Sequence, residues 1–143
     1  MKSKTIFIVY QDDLWVRSLS TYFHSLGYQV ESAKTVSEAI RKIRRGKMDI
    51  LLLDDEIEEV KACDLVPIFK RINPKIQVIV ISSQESVELA KRLRRSGIFY
   101  QAMKPIDLEE VRSAVECALK KIKREHVKEE GFFPFLMPQW VPA

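Results

Sequence analysis

Hydrophobic and polar residues along this chain fall into two alternating kinds of segment. Short apolar or β-branched runs occur at residues 5–10, 28–31, 49–54, 76–81 and 98–103. The first, third and fourth runs are nearly continuous in apolar character and lack a helical period, which predicts strands that are buried on both faces. Between and after the runs, apolar residues recur at steps of three and four, which predicts five helices.

The alternation of strand and helix indicates the fold class. Because a helix follows each strand, right-handed crossovers place the strands in one parallel sheet with helices on both faces. Local signals agree with these boundaries: Gly27 and Gly97 follow helical segments, and Asp107 can cap the final helix. The sequence therefore predicts a doubly wound α/β fold.

Length and composition indicate a single domain. The chain has 143 residues, of which 46% are hydrophobic, and this is sufficient for one core. We assign the domain to residues 1–125 and a separate tail to residues 126–143. Cys63 and Cys117 lack the spacing of a metal cluster, and no apolar run reaches the roughly 20 residues of a membrane helix. A cytoplasmic protein without membrane insertion is expected.

The distribution of charge argues against direct nucleic-acid binding. The formal net charge is +4, and basic residues cluster at 41–47, 91–95 and 120–124. Basic clusters on helices are usually solvated faces. These three are too scattered along the chain to define one nucleic-acid footprint.

The tail is the last distinctive segment. From Gly131 onward it is rich in aromatic side chains and contains Pro134, Pro138 and Pro142. Because proline lacks the amide that an interior helical position donates, the tail is expected not to extend the final helix. It is expected to pack back on the domain, to dock on a partner or to be disordered, and exposed aromatic residues at this density favour a contact surface.

Polar residues at the ends of the strands gather at one edge of the predicted sheet. In open α/β sheets, ligands and chemistry are found at the carboxyl ends of the strands. The side chains expected there are Gln11, Asp12 and Asp13 after the first strand, Asp54 and Asp55 after the third, Ser82 and Ser83 after the fourth, and Lys104 after the fifth.

This set of side chains indicates chemistry on a phosphoryl group. Carboxylates brought together repel one another, and each has a raised pKa unless a cation joins them. A hard divalent ion such as Mg²⁺ suits oxygen ligands of this kind. A lysine and a hydroxyl would bind an anion beside the metal. A carboxylate could then attack phosphorus while the cations offset charge on the equatorial oxygens.

The order of these residues resembles a known family. The acidic end of the first strand, Asp54 after the apolar run, Ser82 after the fourth strand, and Gly97 followed by the pair Lys104 and Pro105 are together specific. Over about residues 4–124 the chain resembles a CheY-like response-regulator receiver domain of two-component signal transduction. The resemblance implies a flavodoxin-like (βα)5 fold, with a five-stranded parallel sheet in the order 2-1-3-4-5.

The resemblance also implies roles for three side chains. Asp54 takes the position of the phosphoacceptor, with its neighbour Asp55 as the alternative acceptor. Lys104 takes the position of the lysine that pairs with the phosphoryl oxygens, and the proline after it is often joined by a cis bond. Ser82 takes the position of the switch hydroxyl, which donates to the phosphoryl group.

A Mg²⁺ site is implied by the same resemblance. Asp12 is the expected direct ligand together with Asp54, and Glu56 would contribute its backbone carbonyl. Asp13 is open to two interpretations, since it could be a further metal ligand or the residue that caps the first helix.

Two departures from the family pattern bear on function. Gln11 replaces the first acid of the usual pair, so Mg²⁺ binding is expected to be weaker. Gln101 stands where the family usually has an aromatic residue. Tyr100 lies one position too early, and neighbouring strand residues point to opposite faces of a sheet.

Three functional hypotheses follow from these residues. The first is a response regulator receiver that takes a phosphoryl group from a histidine kinase onto Asp54 and signals by protein contact with a downstream protein. Such receivers often form homodimers through the fourth helix, fifth strand and fifth helix, and they are not enzymes beyond self-phosphorylation from small donors and self-dephosphorylation. The alternative is a pseudo-receiver that binds or dimerises without phosphorylation. The third is a phosphatase that forms an aspartyl phosphate and uses Glu56 as general acid. Such enzymes usually carry a cap domain that excludes water, and this chain has no room for one.

Overall fold

Seven strands and five helices follow one another within residues 4–140. The structure, a computed structural model, describes the backbone of residues 4–140 and the side chains of residues 4–128. The strands are β1 (Thr5–Val9), β2 (Gln29–Ala33), β3 (Ile50–Asp54), β4 (Glu56–Ile57), β5 (Val60–Lys61), β6 (Gln77–Ser82) and β7 (Tyr100–Met103). The helices are α1 (Asp13–Ser25), α2 (Val36–Arg45), α3 (Ala62–Ile72), α4 (Val87–Ser96) and α5 (Leu108–Trp140).

Five of the strands form one parallel sheet in the order β2-β1-β3-β6-β7. Leu52 at its centre is in register with Ile8 on one side and with Ile79 on the other. Counting only the strands of this sheet, the order is 2-1-3-4-5, as predicted. The flavodoxin-like fold is therefore confirmed.

Burial of the strands on both faces explains their continuous apolar sequences. Along β1, Phe7 and Val9 pack against the layer of α2, α3 and α4, whereas Ile6 and Ile8 pack against the layer of α1 and α5. The same alternation occurs in β3, so successive apolar residues of these two strands enter the two cores in turn. A strand with both faces covered has no polar face, and a run without alternation results.

The ends of the helices follow the predicted local signals. Asp107 accepts a hydrogen bond at 3.0 Å from the amide of Glu109 and caps α5. Gly27 follows α1 with a φ of 95°, and Gly97 ends α4 with a φ of 102°. Both values lie in the left-handed region that favours glycine. At Gly97 a Cβ atom would also lie 3.2 Å from the Lys70 side chain.

The C-terminal segment corrects one prediction. Helix α5 continues through Gly131 and Pro134 to Trp140, so the expectation that the tail does not extend this helix is wrong. The φ of proline suits a helix even though its ring removes one hydrogen bond, and α3 likewise contains Pro67. The division into a domain and a tail at residue 126 remains a prediction. How the tail side chains pack or dock lies outside the described residues.

A small antiparallel hairpin was not predicted. Strands β4 and β5 pair Glu56 with Lys61 and Ile57 with Val60, so α3 begins only at residue 62. The two turn residues, Glu58 and Glu59, have φ values of 51° and 67°. The positive φ values are typical of a type I′ turn. Sequence reasoning missed the hairpin because this turn usually contains Asn or Gly, and here it contains neither.

None of the helices in the described part of the chain is long and apolar enough to cross a membrane.

Candidate functional site

The candidate site lies at the carboxyl edge of the sheet, where β3, β6 and β7 end side by side. Asp54 is the last residue of β3 and is in register with Ile81 of β6. The backbone amide of Lys104, which follows β7, donates to the Ser82 carbonyl at 2.8 Å. The parallel register therefore brings together three side chains that are far apart in sequence: Asp54, Ser82 and Lys104.

An ion pair between Asp54 and Lys104 is the centre of the site. Lys104 Nζ donates to Asp54 Oδ1 at 2.8 Å, and the backbone amide of Asp55 donates to the same oxygen at 2.9 Å. The ammonium also lies 3.6 Å from Asp55 Oδ1 and 5.3 Å from the centre of the Tyr10 ring. A cis peptide bond joins Lys104 to Pro105. One cation thus lies between two carboxylates beneath a buried aromatic ring.

Burial and charge shift the ionisation of these groups. Burial raises the pKa of Asp54, and the hydrogen bond and charge of Lys104 oppose this rise while Asp55 adds to it. Burial alone would lower the pKa of Lys104, but Asp54 raises it well above its usual range. Lys104 is therefore a permanent cation, and Asp54 is a carboxylate that holds its proton more strongly than an ordinary aspartate.

Asp55 has a set of contacts that sequence reasoning missed. Its Oδ2 accepts hydrogen bonds from the Ser83 amide at 3.0 Å and from the Ser83 hydroxyl at 3.1 Å. Although burial acts to raise the pKa of Asp55, Ser83 and Lys104 lower it overall. The only signal in the sequence was the order of the strands: because β3 and β6 are neighbours, the residue after one strand end can reach the residue after the other.

Ser82 is fully buried at the end of β6. Its hydroxyl oxygen accepts a hydrogen bond from the Gln84 amide at 3.1 Å. The two adjacent serines therefore have different partners, since Ser82 contacts its own loop and Ser83 contacts Asp55.

The predicted metal ligands are placed as follows. Asp12 is exposed and caps α1, accepting a hydrogen bond from the Leu14 amide at 2.9 Å. Asp13 is not the cap; it is the first residue of α1, and its carboxylate lies 2.8 Å from Lys34 Nζ. Glu56 is exposed on β4. Within residues 4–128, no group of three His, Cys, Asp or Glu side chains is placed to hold a metal ion. The magnesium site remains a prediction.

Gln11, which stands where the family usually has an acid, makes a hydrogen bond to the hairpin. Its Oε1 accepts a hydrogen bond from the Glu58 amide at 3.2 Å, and the Glu58 carboxylate accepts one at 2.7 Å from the Val36 amide at the start of α2. The β4–β5 hairpin is thus tied to two neighbouring segments.

On β7, Gln101, which departs from the family pattern, and its neighbour Tyr100 have separate environments. Tyr100 is exposed, and its hydroxyl donates to Glu110 of α5 at 2.7 Å. Gln101 is half-buried, and its amide nitrogen lies 3.9 Å from the sulfur of Met103. The tyrosine of β7 therefore lies on the surface with its hydroxyl bound to α5, and the side chain at position 101 is not aromatic.

The fold and the site define the class of protein: a flavodoxin-like α/β domain with a lysine-paired aspartate at the carboxyl edge of its sheet. The response regulator receiver domain family matches residues 6–116, and the chain belongs to this family. Receiver domains are signalling modules, so the phosphatase hypothesis is set aside.

Similar proteins agree with this assignment. The DNA-binding transcriptional regulator NtrC of Azospirillum brasilense is 32% identical over 120 residues, which are 83% of this chain and 25% of that protein. The chain thus spans about a quarter of the length of this curated relative.

Solved structures share the fold. The CheY-like receiver domain protein of Methanospirillum hungatei has a TM-score of 0.82 at 22% identity, covering 87% of this chain and 99% of that one. A Burkholderia pseudomallei response regulator, solved with a phosphorylated aspartic acid, calcium ion and citrate, has a TM-score of 0.75 at 17% identity, covering 89% and 75%.

Proposed function

We propose that this chain accepts a phosphoryl group on Asp54 and signals through contact with another protein. The observation that carries the proposal is the position of Asp54, a buried carboxylate at a strand end whose Oδ1 lies 2.8 Å from Lys104 Nζ. A lysine at that distance neutralises a carboxylate before the reaction and can bind an added phosphoryl oxygen after it. A histidine kinase is the proposed donor, and the cytoplasm is the proposed location.

The proposed reaction is a direct transfer. An Asp54 carboxylate oxygen forms a bond to phosphorus while the bond between phosphorus and the donor imidazole nitrogen breaks, and that nitrogen takes up a proton from solvent as the neutral imidazole leaves. With acetyl phosphate as donor, acetate leaves instead. Lys104 offsets negative charge on the transferred group, and the Ser82 hydroxyl is proposed to rotate from Gln84 to donate to it. The chain has no other proposed activity than this self-modification and its hydrolytic reversal.

Mg²⁺ is the proposed cofactor, since the available donors are oxygens. Asp54 and Asp12 would supply carboxylates, Glu56 its backbone carbonyl, and Asp13 an additional carboxylate if it leaves Lys34. Mg²⁺ binds proteins through one or two carboxylates and keeps several waters, so a cluster of three acids is not required. When bound, the ion neutralises charge on the phosphoryl oxygens. The raised pKa of Asp54 also favours a second cation beside it.

The proposed output is a protein contact, including a homodimer through α4, β7 and α5. Val87 at the start of α4 is 71% exposed, and four basic residues of α4 lie on the surface: Lys91, Arg92, Arg94 and Arg95. The proposal includes no direct contact of this domain with nucleic acid and no membrane insertion.

A second candidate function is binding or dimerisation without phosphorylation. The contact of Gln11 with Glu58 favours it, because the position where the family usually has a metal-binding acid holds a neutral side chain that contacts the hairpin instead. Gln101 in place of an aromatic side chain points in the same direction.

The experiment that tests the proposal is the intact mass after incubation with acetyl phosphate and Mg²⁺. We expect a gain of one phosphoryl mass in the wild type and in Asp55→Asn, and none in Asp54→Asn. If the wild type gains no mass and beryllofluoride does not change its spectrum, the binding module is the better description. A gain lost only in Asp55→Asn would assign the acceptor to Asp55.

A further inference from the structure

The Asp55 carboxylate is surrounded by hydrogen-bond donors of the kind that bind anions. Its two oxygens face three donors: the amide and hydroxyl of Ser83 at 3.0 and 3.1 Å, and the ammonium of Lys104 at 3.6 Å. Only 21% of its side chain is exposed. Amide, hydroxyl and ammonium donors are also the groups that bind phosphate oxygens in proteins.

One of these donors, the Lys104 ammonium, also binds the reacting aspartate. Lys104 contacts Asp54 at 2.8 Å and Asp55 at 3.6 Å, and the Asp55 amide donates to Asp54 Oδ1. A phosphoryl group on Asp54 would add roughly two negative charges at this point. It would compete for Lys104 and repel the neighbouring Asp55 carboxylate.

We propose that Asp55 is a positioning residue that holds Ser83 and Lys104 in the unmodified protein and releases Ser83 when Asp54 is phosphorylated. This inference rests on the proposed function of Asp54. It assigns to Asp55 two effects: an opposing charge that slows phosphorylation, and a bond that fixes the segment entering α4.

The surroundings of Ser83 show what its release would change. Residues 83–86 connect β6 to α4, and Ser86 caps that helix by accepting a hydrogen bond from the Leu89 amide at 3.2 Å. A cleft of about 240 Å³ adjoins the bond, lined by Asp55, Lys61, Cys63, Ser83 and Leu89 among others. The segment therefore has space beside it, and α4 is the element that its movement would reach first.

The test compares the wild type with Asp55→Asn and with Glu85→Gln. Asp55→Asn keeps the shape and a carbonyl acceptor but removes the charge. Glu85→Gln removes one charge from an exposed residue of the same segment and is the matched control. We expect Asp55→Asn to take up phosphate from acetyl phosphate roughly 3- to 10-fold faster than the wild type, and Glu85→Gln to match the wild type.

A second measurement separates positioning from charge alone. The amide resonance of Ser83 is followed by NMR with and without beryllofluoride and Mg²⁺. In the wild type this resonance should move upfield when beryllofluoride is added, because the carboxylate bond is lost. In Asp55→Asn it should be upfield from the start and should move less.

The outcomes distinguish the two proposals. If the wild type is phosphorylated on Asp54 but Asp55→Asn has the same rate, the role of Asp55 is overturned and the phosphoacceptor remains. A faster variant whose Ser83 resonance, before beryllofluoride is added, has the same position as in the wild type also overturns it, because charge alone then explains the rate. If neither protein accepts phosphate, the proposed function fails and this inference fails with it.

Discussion

Lys104 Nζ lies 2.8 Å from Asp54 Oδ1, although the two residues are 50 positions apart in sequence. Strand β6 separates their strands in the sheet, and both side chains lie beyond its carboxyl edge. Because both strands that flank β6 are parallel to it, their ends meet at one edge. The topology thus brings the two residues of the ion pair together. Removing Lys104 is the most direct test of the proposed phosphorylation site.

Replacing Lys104 with methionine should nearly abolish phosphorylation. Loss of one preorganised cation that binds the transferred group typically lowers such rates by about 100-fold or more. The change also removes the group that opposes the rise in the pKa of Asp54. The measurement is the rate of mass gain from acetyl phosphate. Lys47→Met, an exposed lysine before β3 at the opposite edge, is the control. Equal rates in both variants would contradict the role of Lys104.

The raised pKa of Asp54 predicts how stability depends on pH. Between the unfolded pKa of about 3.8 and the higher folded value, the folded protein binds more protons, so the free energy of unfolding falls as pH rises. Above the folded pKa, Asp54 is ionised in both states, and the full cost of burying its charge lowers the free energy of unfolding. Asp54→Asn does not ionise, so it should be more stable than the wild type near neutral pH. This advantage should shrink as the pH falls through the folded pKa toward the unfolded value.

Urea unfolding of the two proteins at neutral and acidic pH measures this difference. The same ionisation predicts that phosphorylation of the wild type slows as the pH falls through the Asp54 pKa, because the carboxylate is the proposed nucleophile. A wild type more stable than Asp54→Asn at neutral pH would mean that the ion pair with Lys104 outweighs the effect of burial.

Ser82→Ala should weaken the fold slightly and uncouple phosphorylation from α4. The change leaves the Gln84 amide without its acceptor, which should lower the free energy of unfolding by about 1 kcal/mol. Phosphorylation itself should persist, because Asp54 and Lys104 are intact. The measurement is the beryllofluoride-induced shift of α4 amide resonances by NMR, which should be lost in Ser82→Ala and retained in Ser82→Thr.

Gln11→Asp should tighten Mg²⁺ binding. An added carboxylate a few ångströms from the ion would increase affinity by about tenfold. Trp15 lies on α1 close to Asp12, so its fluorescence can follow a Mg²⁺ titration. Gln29→Asp is the control, because Gln29 is exposed at the start of β2, on the side of the sheet away from the carboxyl edge. It should leave the affinity unchanged. An unchanged affinity in Gln11→Asp would place the metal elsewhere.

The fold was predictable because its signals are local and repeated. Each buried strand is a short apolar run, and the topology rules for parallel sheets then place the ends of all five strands. The proximity of Asp54, Ser82 and Lys104 follows from that topology alone. It does not depend on the conformation of any single side chain.

The remaining features depend on single dihedral angles or contacts that a sequence does not specify. Asp12 and Asp13 are both good capping residues, and which one caps α1 is decided by the extended conformation of Asp12. The bond between Asp55 and Ser83 requires two loops to meet at hydrogen-bond distance. The course of α5 past Pro134 depends on the helix tolerating a lost hydrogen bond.

The hairpin turn provides a prediction about backbone strain. Glu58 and Glu59 both have left-handed φ values, of 51° and 67°, which cost a residue with a Cβ atom roughly 1 kcal/mol or more. Glu59→Gly should remove this strain and raise the free energy of unfolding by about 0.5–1 kcal/mol after the entropy of glycine in the unfolded chain is subtracted.

Glu58→Gly is the matched variant at the neighbouring position. It relieves the same kind of strain but removes the carboxylate that accepts the hydrogen bond from the Val36 amide at 2.7 Å. The two effects oppose each other, so its stability should be close to that of the wild type or below it. Urea unfolding of both variants measures the difference. If Glu58→Gly were the more stable of the two, the contact with Val36 would contribute nothing, and the hairpin would not be tied to α2 in solution.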